Sequence, residues 1–224
     1  MKKIVCIATI KKRESEVIKA INSLYKQVDE VFVVFRHIPK SKLPSNVTYV
    51  VRSNEKGDAD KFWLYSIKPD LADVWFFCDD DILYPSDYVE TSLRHLNKFP
   101  NAVLSYHGRT IKKRPIDSYY RKSRIKGLRC THEVKSYTPI GKDGTCGTGV
   151  MFFNSGVIDL KIEDFKYSNM ADIWITKFAT EQGKVLGVCP HPEGWIKAQE
   201  SKGIFETHQF NDDKQTKLYN SINT

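Results

Sequence analysis

Long apolar runs are missing from this chain of 224 residues. No window approaches the ~18 consecutive apolar residues that a membrane-spanning helix needs, which excludes one. Paired cysteine motifs are missing too. Cys6, Cys78, Cys130, Cys146 and Cys189 are odd in number and show neither C-x-x-C nor zinc spacing, so they read as reduced thiols of a cytoplasmic protein. No small-residue cleavage site follows the apolar start Ile4–Ile10, which stops at Lys11-Lys12-Arg13; the segment reads as a buried first strand, not a signal peptide. Internal repeats, low-complexity stretches and linkers are also absent, and the length fits one large domain or two small ones.

What is present is ordinary globular material. Hydrophobic residues make up 41% and aromatics 12%, enough for a sizeable core, and 28% are charged. Lys plus Arg is 35 against 27 Asp plus Glu, a formal net charge of +8.

The order of elements points to an α/β fold. Residues 3–10 predict a strand, and Val17, Ile18, Ile21, Leu24 and Tyr25 recur at helical spacing behind it. The continuous run Val31–Phe35 has the pattern of a strand buried on both faces of a parallel sheet. Strand, helix, strand within 35 residues implies a right-handed crossover. Residues 46–52 predict a third strand, Phe62 to Ile67 a helix, and Asp73 to Cys78 a fourth strand. Pro85-Ser86-Asp87 opens a helix whose inner face is Tyr88, Leu93, Leu96 and Phe99. Residues 102–106 return as a strand, and Gly147-Thr148-Gly149 feeds another through Phe153. A helix over 172–182, a short strand over 184–189 and a polar, partly helical tail from Gly203 complete the chain. Residues 109–143 carry eleven Lys or Arg with poor apolar periodicity and read as a long irregular excursion.

The fourth strand ends in Asp79-Asp80-Asp81. In open α/β sheets ligands bind beyond the carboxyl ends of strands. Three adjacent carboxylates repel one another and call for a compensating cation. Hard oxygen donors at D-x-D spacing suit Mn²⁺ or Mg²⁺, with a diphosphate supplying further oxygens. The plainer reading is an acidic turn leading into the next helix.

The opening βα unit, the strand from Trp75 into the D-x-D, the Gly147-Thr148-Gly149 loop and Asp172 in Met170-Ala171-Asp172 together resemble GT-A-fold, nucleotide-sugar-dependent glycosyltransferases of the family 2 type, over roughly residues 3–195. The resemblance implies a Rossmann-like catalytic domain over 1–224 with a mostly parallel sheet flanked by helices. Its nucleotide-sugar half would cover about 1–106 and its acceptor half about 107–224. It further implies that Asp79 and Asp81 hold the divalent cation, with His191 as an additional ligand. Ala8, Thr9, Gly57, Asp58, Lys61, Asp79, Asp80, Gly147, Thr148 and Gly149 would contact the nucleotide sugar. Asp172 would deprotonate the acceptor hydroxyl, giving inversion at the anomeric centre. The donor would be a nucleoside-diphosphate sugar, UDP-type favoured, and the acceptor a glycan or lipid-linked molecule of a polysaccharide or surface-glycan pathway.

Two departures stand out. Phe35-Arg36-His37 replaces the acidic residue that many relatives carry after the second strand, which leaves the base open, and Ala171-Asp172 keeps only the second acid of the usual pair. Plainer roles stand beside the functional ones: Asp172 as a helix cap, His191 as a structural histidine between Pro190 and Pro192, Lys61 as a solvated charge, Trp195 as packing. The basic excursion reads either as a solvated loop or as a lid that attracts an anionic acceptor or contacts the inner membrane face peripherally, with Tyr119, Tyr120 and Tyr137 among its cations. Two other functions compete. A nucleotidyltransferase would share the α/β sheet and carboxylate-bound metal, but no glycine-rich phosphate loop follows the first strand. A nucleic-acid module would explain +8, but no recognised motif is present and nucleic acid is not expected as a partner.

Overall fold

The computed structural model describes residues 1–222 except 54, 112–113, 121–124, 142 and 201–211, and for residue 125 the backbone alone. Six of the eleven excursion cations (Lys112, Lys113, Arg121, Lys122, Arg124, Lys142) and the tail from Gly203 to residue 211 lie outside the described residues.

The apolar runs become the strands of one sheet. β1 (Lys3–Ala8), β2 (Glu30–Phe35), β3 (Val47–Val51), β4 (Val74–Asp79), β6 (Ala102–Ser105), β9 (Thr138–Pro139), β11 (Val150–Asn154) and β12 (Val185–Val188) form eight strands in the order β3-β2-β1-β4-β11-β6-β12-β9. The first four are mutually parallel and β6 is parallel to β12, whereas β11 runs antiparallel to both β4 and β6. Strand alternation splits the buried side chains between two faces. Ile4, Cys6, Trp75 and Phe77 face one way, against α2 (Trp63–Ile67), α4 (Ala171–Glu181) and α5 (Asp213–Asn220). Val5, Ile7, Phe76 and Cys78 face the other, against α1 (Glu14–Leu24) and α3 (Tyr88–Lys98). Because both faces are covered, these strands read as unbroken apolar runs.

Helix α1 buries Val17, Ala20, Ile21 and Leu24 at helical spacing and carries Glu14 and Glu16 in its first turn, where acids favour the helix dipole. Helix α3 buries Tyr88, Val89, Ser92 and Leu96, with Leu93 and Phe99 only partly covered.

The excursion over 109–143 is not structureless. β7 (Gly108–Ile111) pairs antiparallel with β8 (Ile125–Leu128) and with β10 (Gly144–Cys146), and β9 extends the main sheet through β12. These strands are two to four residues long and pair across gaps of up to 50 positions (188 − 138), too short and too distant to leave an apolar period. Gly144 is needed for the pairing, since a Cβ there would strike the Arg109 carbonyl.

A last ribbon, β5 (Ile82–Leu83) against β13 (Lys197–Ala198), follows the acidic turn. All five cysteines are buried and unpaired, with burial raising their thiol pKa values. Among the described residues no helix is long and apolar enough to cross a membrane.

Candidate functional site

In the strand order, β1 has β2 on one side and β4 on the other, and the helical crossovers leave on opposite faces of the sheet. A crevice opens where the winding reverses. A cavity of about 520 Å³ lies there, at the carboxyl ends of β1 and β4. Ala8 pairs with Asp79 in the parallel register, so the residues that follow meet directly: the Thr9 hydroxyl donates to Asp80 Oδ2 at 2.7 Å.

The three aspartates take different surroundings. Asp80 is 5% exposed, and Arg13 Nη1 bridges its Oδ1 (2.8 Å) and Asp81 Oδ2 (3.1 Å). Burial raises the Asp80 carboxyl to about 6, with Arg13 and Thr9 pulling against it. Asp79 Oδ1 forms an ion pair with Lys61, while its Oδ2 lies over Gly149, where a Cβ would collide with it. Gln199 pins the turn from outside, its N–H donating to the Asp81 carbonyl at 2.7 Å. The Tyr84 hydroxyl accepts from Asp79 N (2.8 Å) and donates to the Gly149 carbonyl (2.6 Å), which ties the acidic turn to the glycine loop.

Lys61 is 1% exposed. It sits in the 3₁₀ turn Gly57–Phe62 that leads into α2. Burial works against its charge, but Asp79 and Asp58 outweigh it and hold the ammonium above its ordinary range. Asp58 is pushed up to about 7 by burial, against the pull of Lys61 and with the Asp172 charge adding to the rise. Its Oδ2 accepts from Ala171 N at 3.3 Å, and its Oδ1 is buried with no hydrogen-bond partner. Gly57 has φ +67°, and a Cβ there would strike the Asn169 side chain, so glycine is required on both counts.

Asp172 stands in the first turn of α4, whose cap position is Met170. Its side chain does not cap the helix. Oδ1 instead accepts from Thr148 N and from Thr148 Oγ1, both at 3.0 Å, which fixes the carboxylate to the glycine loop.

Ten of the thirteen residues expected from sequence line the cavity: Ala8, Thr9, Gly57, Asp58, Lys61, Asp79, Asp80, Asp81, Thr148 and Asp172. Gly147 and Gly149 do not line it but hold the loop, Gly147 against His107 and Gly149 against Asp79. His191 is not brought to the cavity. It is buried, bridges Val134 in a β-pair, has Nδ1 2.9 Å from the Cys189 carbonyl, and packs beside Tyr106 and Trp195. Trp195 packs on Tyr88 and Tyr106 and donates to Asp87. Lys61 is a buried ion-pair partner, not a solvated charge.

Sequence reading missed Arg13, Arg36, His107 and Arg109 on the cavity wall. Arg13 and Arg36 each follow a strand that ends at the crevice, a placement that would have marked them. His107 and Arg109 follow β6 in the same way, and burial lowers the His107 imidazole.

Among the described residues no three His, Cys, Asp or Glu converge as a metal cage. A divalent cation that also takes phosphate oxygens needs only one or two carboxylates from the protein. Asp79 and Asp81 bring hard oxygen donors to the cavity wall, and Asp58 Oδ1 is a buried carboxylate oxygen there with no hydrogen-bond partner. The donor set fits such an ion, which Asp79 and Asp81 would hold.

The architecture is that of the GT-A glycosyltransferase fold. Solved structures with this fold include GalNAc-T7 with UDP, GalNAc and Mn²⁺ (TM-score 0.62, 10% identity, covering 90% of this chain and 43% of that one). S. aureus TarS 1–349 in complex with UDP-GlcNAc gives TM-score 0.57 and 14% identity, over 93% of this chain and 61% of that one. TarS 1–349 alone gives 0.55 and 15%, over 99% and 70%. This chain thus spans about half of the first two. No protein-family model matches it, and no curated protein matches it by sequence.

Proposed function

We propose that this chain is a glycosyltransferase that moves a sugar from a nucleoside-diphosphate sugar, UDP-type favoured, to a hydroxyl of a glycan or lipid-linked acceptor, with inversion. The observation that carries the reading is that one cavity holds both the Asp79–Asp81 turn, with Lys61 and Arg13 paired to it, and the Asp172 carboxylate fixed by Thr148.

The donor diphosphate lies at the acidic turn. Mn²⁺ or Mg²⁺ held there by Asp79 and Asp81 would offset the negative charge that the leaving group gathers. Lys61 and Arg13 add preorganised positive charge to the same wall. Strand order supports one direction for the donor. The nucleoside points over Thr9 and Arg36, at the ends of β1 and β2, and the sugar points toward β11 and Asp172. Thr148 occupies Oδ1 of Asp172, which leaves Oδ2 to accept the proton of the incoming hydroxyl as general base. Attack from that side, opposite the diphosphate, inverts the anomeric centre. His191 has no part in this scheme.

The test is binding followed by turnover. A panel of nucleoside diphosphates and nucleotide sugars is screened by thermal shift with and without Mn²⁺ and Mg²⁺. The donor that shifts melting is then incubated with candidate acceptors, and product stereochemistry is read by NMR. A metal-dependent shift lost in Asp81→Ala, with free nucleoside diphosphate as by-product, is the expected result. Release of pyrophosphate would point to a nucleotidyltransferase, and no shift with any nucleotide would remove the reading.

A further inference from the structure

We propose that the cavity contains a second anion site, built by Arg109 on the Tyr119–Tyr120 ring pair, that receives an oxyanion carried by the acceptor, a phosphate ester or a carboxylate. The inference rests on the function proposed above and names the acceptor's chemistry.

Four cations other than histidine line the cavity, and three of them are matched to carboxylates: Arg13 to Asp80 and Asp81, Arg36 to Asp60, Lys61 to Asp79. Arg109 is the exception: among the described residues no carboxylate lies within ion-pair distance of it. Its guanidinium is nevertheless held in place. The carbon centre lies 4.4 Å from the centroid of the Tyr119 ring and 5.4 Å from that of Tyr120, and Nη1 donates to the Tyr119 carbonyl at 3.2 Å. One N–H is thus used and the rings cover a face, so the planar fork is presented in a fixed orientation, as bidentate recognition of an oxyanion requires.

The platform itself is built in. Tyr119 is buried, and its hydroxyl pairs with Thr145 Oγ1 at 3.0 Å. Helix α5 clamps the chain that carries both rings. Tyr119 N donates to Thr216 Oγ1 (2.9 Å), Tyr120 N to Asp212 Oδ2 (2.7 Å), and Ile116 N to Asn220 Oδ1 (3.0 Å). A loop that merely carried solvated charge would need no such clamp.

Strand order assigns the site to the acceptor and not to the donor diphosphate. Arg109 follows the carboxyl end of β6, and β11 separates β6 from β4. Two strand spacings, about 10 Å, separate the end of β6 from the end of β4, where the acidic turn begins, and Arg109 continues from the β6 end in β7. That is the Asp172 side of the cavity, away from β1 and β2.

The test uses the full chain saturated with UDP and Mn²⁺, so that the donor site is filled. sn-Glycerol 3-phosphate, glucuronate and neutral glycerol are titrated by calorimetry into wild type, Arg109→Gln and Arg109→Lys. At least one anion is expected to bind wild type, and the arm that binds identifies phosphate or carboxylate. Arg109→Gln should weaken it about tenfold or more, the loss of a charge-assisted pair. Arg109→Lys should weaken it several-fold because the fork is lost. UDP affinity should stay within about twofold in both variants. The lysine variant carries the test if the glutamine variant does not fold. The proposal is overturned if neither anion binds wild type, if binding is indifferent to Arg109, or if UDP affinity falls in parallel, which would give Arg109 to the donor. If wild type binds no nucleotide, the donor reading fails separately, and the anion titrations are read on the nucleotide-free chain with the same outcomes.

Discussion

Replacing Lys61 with Met removes one charge and little else, because Met follows the same path through the buried 3₁₀ turn. The ammonium it removes is the ion-pair partner of Asp79 and the chief positive neighbour of Asp58. Breaking a fully buried pair costs about 3–5 kcal/mol through the stranded partner. Here the partner is not fully buried: the Asp79 side chain is 40% exposed, and water can take over part of the solvation. A loss of about 1–2 kcal/mol follows, which for a chain of this size is a fall in Tm of about 2–8 °C. The same substitution strips positive charge from the wall proposed to face the diphosphate, so UDP affinity should drop about 10- to 100-fold, the worth of one or two charge-assisted hydrogen bonds. Scanning calorimetry gives the first quantity and isothermal titration the second. Unchanged melting together with unchanged nucleotide affinity would refute the reasoning, since no buried cation facing this turn could be silent in both.

Three further expectations are open to direct measurement. Asp58 has a folded pKa of about 7, above the ~3.9 of an unfolded aspartate. The folded state therefore binds the extra proton between those values, and the group's contribution to stability falls as pH rises from about 4 to 7; Asp58→Asn should flatten that slope and melt higher than wild type at pH 8, and an unchanged slope would contradict it. Gly149→Ala should displace the Asp79 carboxylate and weaken UDP binding at least tenfold while the fold, read by near-UV circular dichroism, persists; wild-type affinity would show that Asp79 does not face the donor. Asp172→Asn keeps the Thr148 hydroxyl within reach but cannot take a proton, so turnover should fall about 10²- to 10⁴-fold with UDP affinity unchanged; full turnover in a steady-state assay would assign the base elsewhere.

The residues that carried the sequence argument did so through local chemistry. Asp79-Asp80-Asp81 was legible because three carboxylates close an apolar strand, and that strand had to be buried. Gly149 was legible as part of a loop, although the reason only glycine fits is the Asp79 side chain pressed against it. Lys61 sat in the expected segment, yet nothing in its neighbours marked it as buried, because its turn packs on the distant strands β1, β2 and β4. Asp172 reads equally as cap or base from its neighbours alone; that its carboxylate leaves the helix end and bonds Thr148, 24 positions away, is visible only in the fold. His191 went elsewhere because its backbone pairs with Val134, a bridge without any signature in Pro190-His191-Pro192.

The sequence by itself determined the α/β alternation, the continuous strands and the edge of the sheet where acidic chemistry collects, since each depends on neighbours within a few positions and on whether an apolar run can tolerate water. Tertiary structure alone decided which cations answer which carboxylates, that parts of the basic segment pair as strands, and that Arg109 has no acid within ion-pair distance among the described residues. Those outcomes depend on which distant segments lie side by side. An ion pair forms over a few ångströms of space, whatever the separation along the chain.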